Sequence, residues 1–264
     1  MTKQTANFAP LPASDFTLAL FCRIDDELKD VKKPKLSRLH PSEVVTLGVL
    51  QVLRGQGWRA FYRWVQKELG ALFPQMVEQS RLFRLWRKYQ QLAKRFLAQP
   101  TVLGVCDTFG IELMHPRREG RCEWHCARKG KSNGRWIVGQ KFFLLLNQFG
   151  EVVRIGCASA NCHDTHFGCI IESFEEQMIV LADSGFHAKE GDPSNLKLCP
   201  RGHWNERMLI ETLFSACEGP LDMKKMDYRV KHSLRARLQY TAAALNLCMN
   251  WTGKIQLNFT DFVL

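Results

Sequence analysis

The chain has 264 residues, 45% of them apolar, with a formal charge of +11 and a pI near 9.3. That length and apolar share support one large domain or two modest ones, and no run of about 18 or more uncharged apolar residues offers a membrane span. The basic excess points to a polyanionic partner, nucleic acid first and an anionic membrane surface second, although a solvated basic face on an unrelated enzyme gives the same pI.

Texture divides the chain near residue 98, into an N-terminal region 1–98 and a second region 99–264. In the first, apolar residues recur at helical spacing between turn signals. Asp15 is expected to cap a helix through about Glu27. Ser42, followed by Glu43, opens the apolar helix VVTLGVLQVL, which ends near Gly55. A third helix is predicted from Trp58 to Leu69, and a fourth from Ser80 to Ala98 that interleaves Arg81, Arg84, Arg87, Lys88, Lys94 and Arg95 with Leu82, Phe83, Leu85 and Trp86. Short helices ending in a basic one fit a helix-turn-helix DNA reader in outline. They fit equally an ordinary helical bundle whose last helix shows water its charged side.

After residue 98 the rhythm is that of strands. TVLGVCDTFGIEL reads as a buried strand, followed by a long polar loop from His115 to Arg135. IVGQKFFLLLNQ and EVVRIGCASA form a hairpin around Phe149-Gly150-Glu151. A helix is expected from His163 to Glu176, with Asp164 as its N-terminal cap. Short strands follow in QMIVLADSGF and NLKLCP, then helices over Asn205–Glu218 and Lys231–Trp251. This order predicts an α/β fold with a mixed sheet flanked by helices, behind an all-helical N-terminal region.

The segment MTKQTANFAPLPASDF lacks the charged, apolar and small-residue order of a secretory signal, so a cytoplasmic location is expected. The ten cysteines are then best read as reduced, buried thiols, Cys106 and Cys157 in strand-like runs and Cys22, Cys217 and Cys248 in helix-like ones. Two groups, Cys122/His125/Cys126 and Cys157/Cys162/His163, lack the paired spacing of a structural zinc site.

Chemistry is signalled by acids at strand ends. Asp107 follows the apolar run Val102–Cys106, and Asp183 follows Met178–Ala182. An unpaired buried carboxylate is expensive to desolvate, so each needs a salt bridge, a turn to cap or a shared metal. Two such acids in one α/β sheet project into the same crevice, which favours the metal. Glu211, amid Leu209, Ile210, Leu213 and Phe214, is the expected third ligand, pointing inward with its apolar neighbours. Glu206 lies about 140° round the helix from it; Glu218 lies about 20° out of phase but roughly 10 Å further along, and is the rival. Carboxylates without converging histidine or thiolate suit Mg²⁺ or Mn²⁺, which can flank a scissile phosphate.

The run VLGVCDTFGIEL, then ASANCHDTHFG, IVLADSGFHAKEG, WNERMLIETLFS and RARLQYTAAALNLCMNW resembles the DDE transposases of bacterial insertion sequences, which have an RNase H-like catalytic core. The resemblance covers most of residues 100–251. It implies that Asp107, Asp183 and Glu211 are the catalytic metal ligands. It also implies that Arg207 is the arginine one turn before the glutamate, that Trp204 stands where a tyrosine is often found, and that Lys141 matches a lysine commonly kept beside the site. The His163-Asp164 pair would lie near that site, with no catalytic role assigned to it. Two departures stand out: Glu218 occupies the place of a lysine, and the stretch between Asp183 and Glu211 is short, with no room for an inserted subdomain.

Between Arg117 and Lys141 the chain carries eight Lys/Arg against two Glu, with Trp124, Trp136, Gly120, Gly130 and Gly134 among them. Arg128, Lys129 and Lys131 are candidate phosphate contacts there, and an aromatic could stack on an unpaired base; a solvated basic loop is the plain alternative. Arg207 either meets phosphate or pairs with Glu211 along the helix. Arg229, Lys231, Arg235 and Arg237 extend a DNA track or are simply solvated helix ends. The expectation is a transposase that binds double-stranded DNA at terminal inverted repeats, cuts, and joins the 3′-OH ends to target DNA as a homo-oligomer. A nuclease or resolvase on the same core, and a non-catalytic DNA-binding remnant, are the alternatives.

Overall fold

The computed structural model describes residues 11–120, 127–132, 134–199, 207–228 and 230–252. Its N-terminal part is four helices, α1 (Ala13–Glu27), α2 (Pro41–Arg54), α3 (Trp58–Glu68) and α4 (Gln79–Tyr89), followed by a 3-10 stretch over Gln90–Phe96. Two starts fall earlier than the sequence suggests. Pro12, not Asp15, takes the cap position of α1, and Asp15 lies in the first turn, where its charge complements the helix dipole. His40 caps α2: its ring accepts from the Ser42 N–H while the Glu43 carboxylate accepts from the His40 N–H, a reciprocal box that satisfies two otherwise orphaned donors. The expected Ser80–Ala98 helix is split, because the chain tightens after Tyr89 into the 3-10 turns.

Helix α2 is buried on nearly every side. Long helix α7 (Lys231–Thr252) packs against it, and α4 packs on both. Hydrogen bonds tie the three together: the Trp86 indole donates to the Val44 carbonyl at 3.0 Å, and the Tyr240 hydroxyl donates to the Trp86 carbonyl at 3.1 Å. Arg237, a candidate for the DNA track, is instead buried in α7, donating to Gln51 Oε1 and to the Val52 and Leu221 carbonyls.

The sheet is mixed. Its strands are β1 (Leu103–Met114), β2 (Arg128–Ser132), β3 (Arg135–Asn147), β4 (Val152–Ser159), β5 (Ile179–Ala182) and β6 (Leu196–Leu198). β3 runs antiparallel to β1 along one edge; on its other edge β2 pairs with its first half and β4 with its second. β5 and β6 add in parallel beyond β1. The polar stretch expected to be loop from His115 to Arg135 therefore contains a strand, β2, with β2 and β4 meeting end to end. At that junction a Cβ on Gly130 would stand 1.9 Å from the Ala160 carbonyl oxygen, so only glycine fits.

Alternation along β1 sends Val105, Phe109 and Ile111 to one face and Cys106 to the other. The first face shares one core with α1, α2, α4, α7 and α6 (Arg207–Glu218). The second is covered by Phe167 and by Ile171 of the short helix α5 (Gly168–Glu172). The helix expected over His163–Glu176 is thus a 3-10 turn at Asp164–Phe167 leading into α5. Asn246 of α7 reaches the sheet's start, accepting from the Val152 N–H at 2.7 Å and donating to its carbonyl at 2.8 Å.

Among the described residues, no helix is long and apolar enough to cross a membrane. Eight described cysteines are free thiols; Cys106, Cys199, Cys217 and Cys248 are buried as expected, whereas Cys157 and Cys162 are half-buried and Cys22 and Cys169 are exposed.

Candidate active site

β1 and β5 are registered through Val105 and Leu181. Asp107 and Asp183 each lie two residues further along, so the register, continued, places them side by side. They also share the parity of Val105 and Leu181, and hence one face of the sheet. Beyond β5, the chain after α6 takes over as partner of β1: the Glu112 N–H donates to the Lys224 carbonyl at 3.1 Å, and the Met226 N–H to the Glu112 carbonyl at 2.9 Å. Between these two partners β1 borders a cleft of ≈ 450 Å³, lined among others by Asp107, Thr108, Asp183 and Glu211. A smaller recess of ≈ 140 Å³ adjoins it, sharing Ser132 and Glu218.

Each aspartate anchors local backbone. Asp107 Oδ1 accepts from the Thr108 N–H at 2.6 Å. Asp183 Oδ1 accepts from the Gly185 N–H at 2.9 Å and so caps the turn Ser184–Phe186.

Helix α6 forms a wall of the cleft. Glu211, Phe214, Ser215 and Glu218 follow the i, i+3, i+4, i+7 spacing of one helical face, and Phe214 packs on Phe109 with ring centroids 5.6 Å apart. Ile210, Leu213 and Cys217 occupy the buried side instead. Glu211 does not point inward with them, as expected from its neighbours; one residue is about 100° of helix rotation, which carries it to the exposed flank over the cleft. Glu218, the rival acid, lines the same cleft and pairs with Lys224 at 3.4 Å.

Asp164, expected near the site by resemblance but read as a helix cap, lines the cleft. The cap of its turn is His163, whose Nδ1 accepts from the Thr165 N–H, which frees the Asp164 side chain for the cleft. There its Oδ1 accepts from Lys141 Nζ and from Thr108 Oγ1, both at 2.8 Å. The resemblance puts the His163-Asp164 pair near the site, but no periodic pattern marks a turn residue, so the partners of Asp164 are not foreseen.

Cys106 lies behind these acids. It is fully buried, and burial together with the charges of Asp107, Asp183 and Asp164 pushes its thiol pKa well up. The neutral thiol is thereby favoured, in the apolar core on the other face of the sheet. Among the described residues, no three His, Cys, Asp or Glu side chains stand grouped as a metal site.

The basic candidates are placed as follows. Lys131 and Lys141 line the cleft. Arg128 and Lys129 are exposed on β2, where Lys129 Nζ lies 5.2 Å from the ring centroid of exposed Trp136. The side chain of Arg207 lies outside the described residues, as do Cys122, Trp124, His125, Cys126, Trp204 and Arg229.

No protein-family model matches the chain, and no curated protein matches it.

Proposed function

We propose that this chain is a DDE-type DNA transposase with an RNase H-like core, which cleaves DNA at element ends and joins the 3′-OH ends to target DNA. The observation that carries the reading is the placement of Asp107, within β1 just past its pairing with β5, and Asp183, directly after β5, under a helix that presents Glu211, in a cleft that also holds Lys131 and Lys141. A mixed sheet with helices on both faces is in keeping with such a core.

Mg²⁺ or Mn²⁺ fits the donor set, since carboxylates line the cleft. Asp107, Asp183 and Glu211 are the residues that would hold it. What the ion supplies when bound is Lewis acidity at the scissile phosphate, activating the attacking water or 3′-OH and stabilising the leaving oxygen. The chain's own share is positioning. Lys131 and Lys141 meet the anionic backbone, and Arg128 and Lys129 on the exposed strand β2 extend that contact along double-stranded DNA. Arg207, at the start of α6, is assigned to a phosphate from the sequence alone. Joining two element ends calls for a homo-oligomer during the reaction.

A second reading, a DNA-binding protein without chemistry, is favoured by one observation: Glu211 is exposed and, among the described residues, no three metal-ligating side chains are grouped. One experiment separates the readings. The protein is incubated with Mg²⁺ and DNA carrying the inverted repeats that flank its reading frame. Strand-transfer products support the transposase, cleavage alone supports a nuclease, and binding without either supports the second reading.

A further inference from the structure

A cleft that must admit both a dication and a polyanion faces a conflict. Cationic side chains attract the phosphate backbone but repel the metal, while carboxylates do the reverse. Lys141 lies at the centre of this conflict. Its side chain is 13% exposed, and the apolar residues Phe142 to Leu146 follow it along β3. Its ammonium enters the same cleft as Asp107 and Asp183. Left to itself, a flexible lysine would pair with the carboxylate of Asp107 or Asp183.

Asp164 stands in the way. Its Oδ1 takes the Lys141 ammonium at 2.8 Å and is fixed from a second side by the Thr108 hydroxyl. Its other oxygen faces Asp183: a Cβ on Gly185 would lie 3.3 Å from Asp164 Oδ2 and 2.9 Å from Asp183 Oδ1. Asp164 thus holds the ammonium through one oxygen and adjoins the turn capped by Asp183 through the other. Asp107, Asp164 and Asp183 all line this cleft.

We propose that Asp164 is a positioning residue that captures the Lys141 ammonium and cancels its charge, so that Lys141 lines the cleft without displacing a divalent cation from Asp107 and Asp183. The inference rests on the metal-dependent reading above and adds a residue to which that reading gives no part. The pair is neutral as a unit. Removing either member alone leaves one uncompensated charge beside the metal position, and the two removals act with opposite sign.

The test is Mn²⁺ titration of the full chain, with free Mn²⁺ counted by electron paramagnetic resonance and folding followed by thermal melts. Lys141→Met should bind Mn²⁺ about tenfold more tightly than wild type, and Asp164→Asn about tenfold more weakly. The double variant should return to within about twofold of wild type. A purely structural role for Asp164 would not be rescued by changing Lys141. If the double variant stays as weak as Asp164→Asn, Asp164 is itself a ligand and the proposal is wrong. It is equally wrong if Lys141→Met leaves affinity unchanged or lowers it, a result that stands even where Asp164→Asn does not fold. Absence of Mn²⁺ binding in wild type would overturn the metal reading and this inference together; a non-compensating pair in a protein that does bind Mn²⁺ would overturn the inference alone.

Discussion

Arg237 of α7 donates its guanidinium to the side-chain carbonyl of Gln51 on α2, joining residues 186 positions apart in a buried environment. Burial lowers the arginine's pKa, yet an arginine stays charged, so the group depends on its three acceptors. Replacing it by methionine should cost about 3 kcal/mol, because Gln51 and two carbonyls lose their donor in the interior. Chemical denaturation reads this directly, and a loss below about 1 kcal/mol would mean the cluster rearranges or opens to water.

Asp183→Asn keeps the amide oxygen that can cap the Ser184–Phe186 turn but removes the charge. Strand cleavage should fall by at least about 10³-fold with DNA binding nearly unchanged. Retained cleavage in a gel assay would rule out Asp183 as a metal ligand.

Gly185→Ala introduces a methyl group 2.9 Å from Asp183 Oδ1 and 3.3 Å from Asp164 Oδ2. Both carboxylates must shift. Turnover should drop roughly 10- to 100-fold, since small misplacements of reacting groups are costly, while the melting temperature moves by only a few degrees. An equal loss of stability and activity would argue for general unfolding instead.

The cysteines give a probe of the cleft's electrostatics. Burial and three neighbouring acids hold the Cys106 thiol neutral, whereas Cys22 and Cys169 are exposed. N-ethylmaleimide at pH 8 should modify those two first and leave Cys106 unlabelled in the native protein, as peptide mass spectrometry would show. Early labelling of Cys106 would mean that the strand-end region opens readily.

Phosphate contacts have a signature in salt dependence. Lys131→Gln should weaken DNA binding uniformly across sequences and reduce the log–log salt slope by about 1. Titration at several salt concentrations checks this, and an unchanged slope would remove Lys131 from the interface.

Helix and strand positions were legible where packing repeats regularly. The apolar runs in α2, β1 and β3 declare themselves; Asp183 does directly follow its strand, whereas Asp107, also read as ending one, lies inside β1, which continues through Phe109, Ile111 and Leu113. Legibility failed where a tertiary partner decides the outcome. β2 is polar because it pairs along an edge of β3 with Arg128, Lys129 and Lys131 outward, so its composition reads as loop. Arg237 looked like a surface cation, since only Gln51 and two distant carbonyls make its burial tolerable. The direction of Glu211 was misjudged because apolar neighbours in sequence lie around a helix, not beside one another on a single face. Asp164 acquires its part in the cleft solely from Lys141 and Thr108, which meet it from two other strands.

The sheet divides the interior into two apolar compartments, and the cleft draws side chains from the margins of both. Asp107 and α6 belong to the compartment shared with α7; Asp164 lies three residues before Phe167, whose ring stacks on Phe143 at 4.8 Å in the other. Repacking beneath Phe143 would therefore retune the acid–lysine pair without touching Asp107 or Asp183. The charge balance of the cleft is thus adjustable from separate, remote positions.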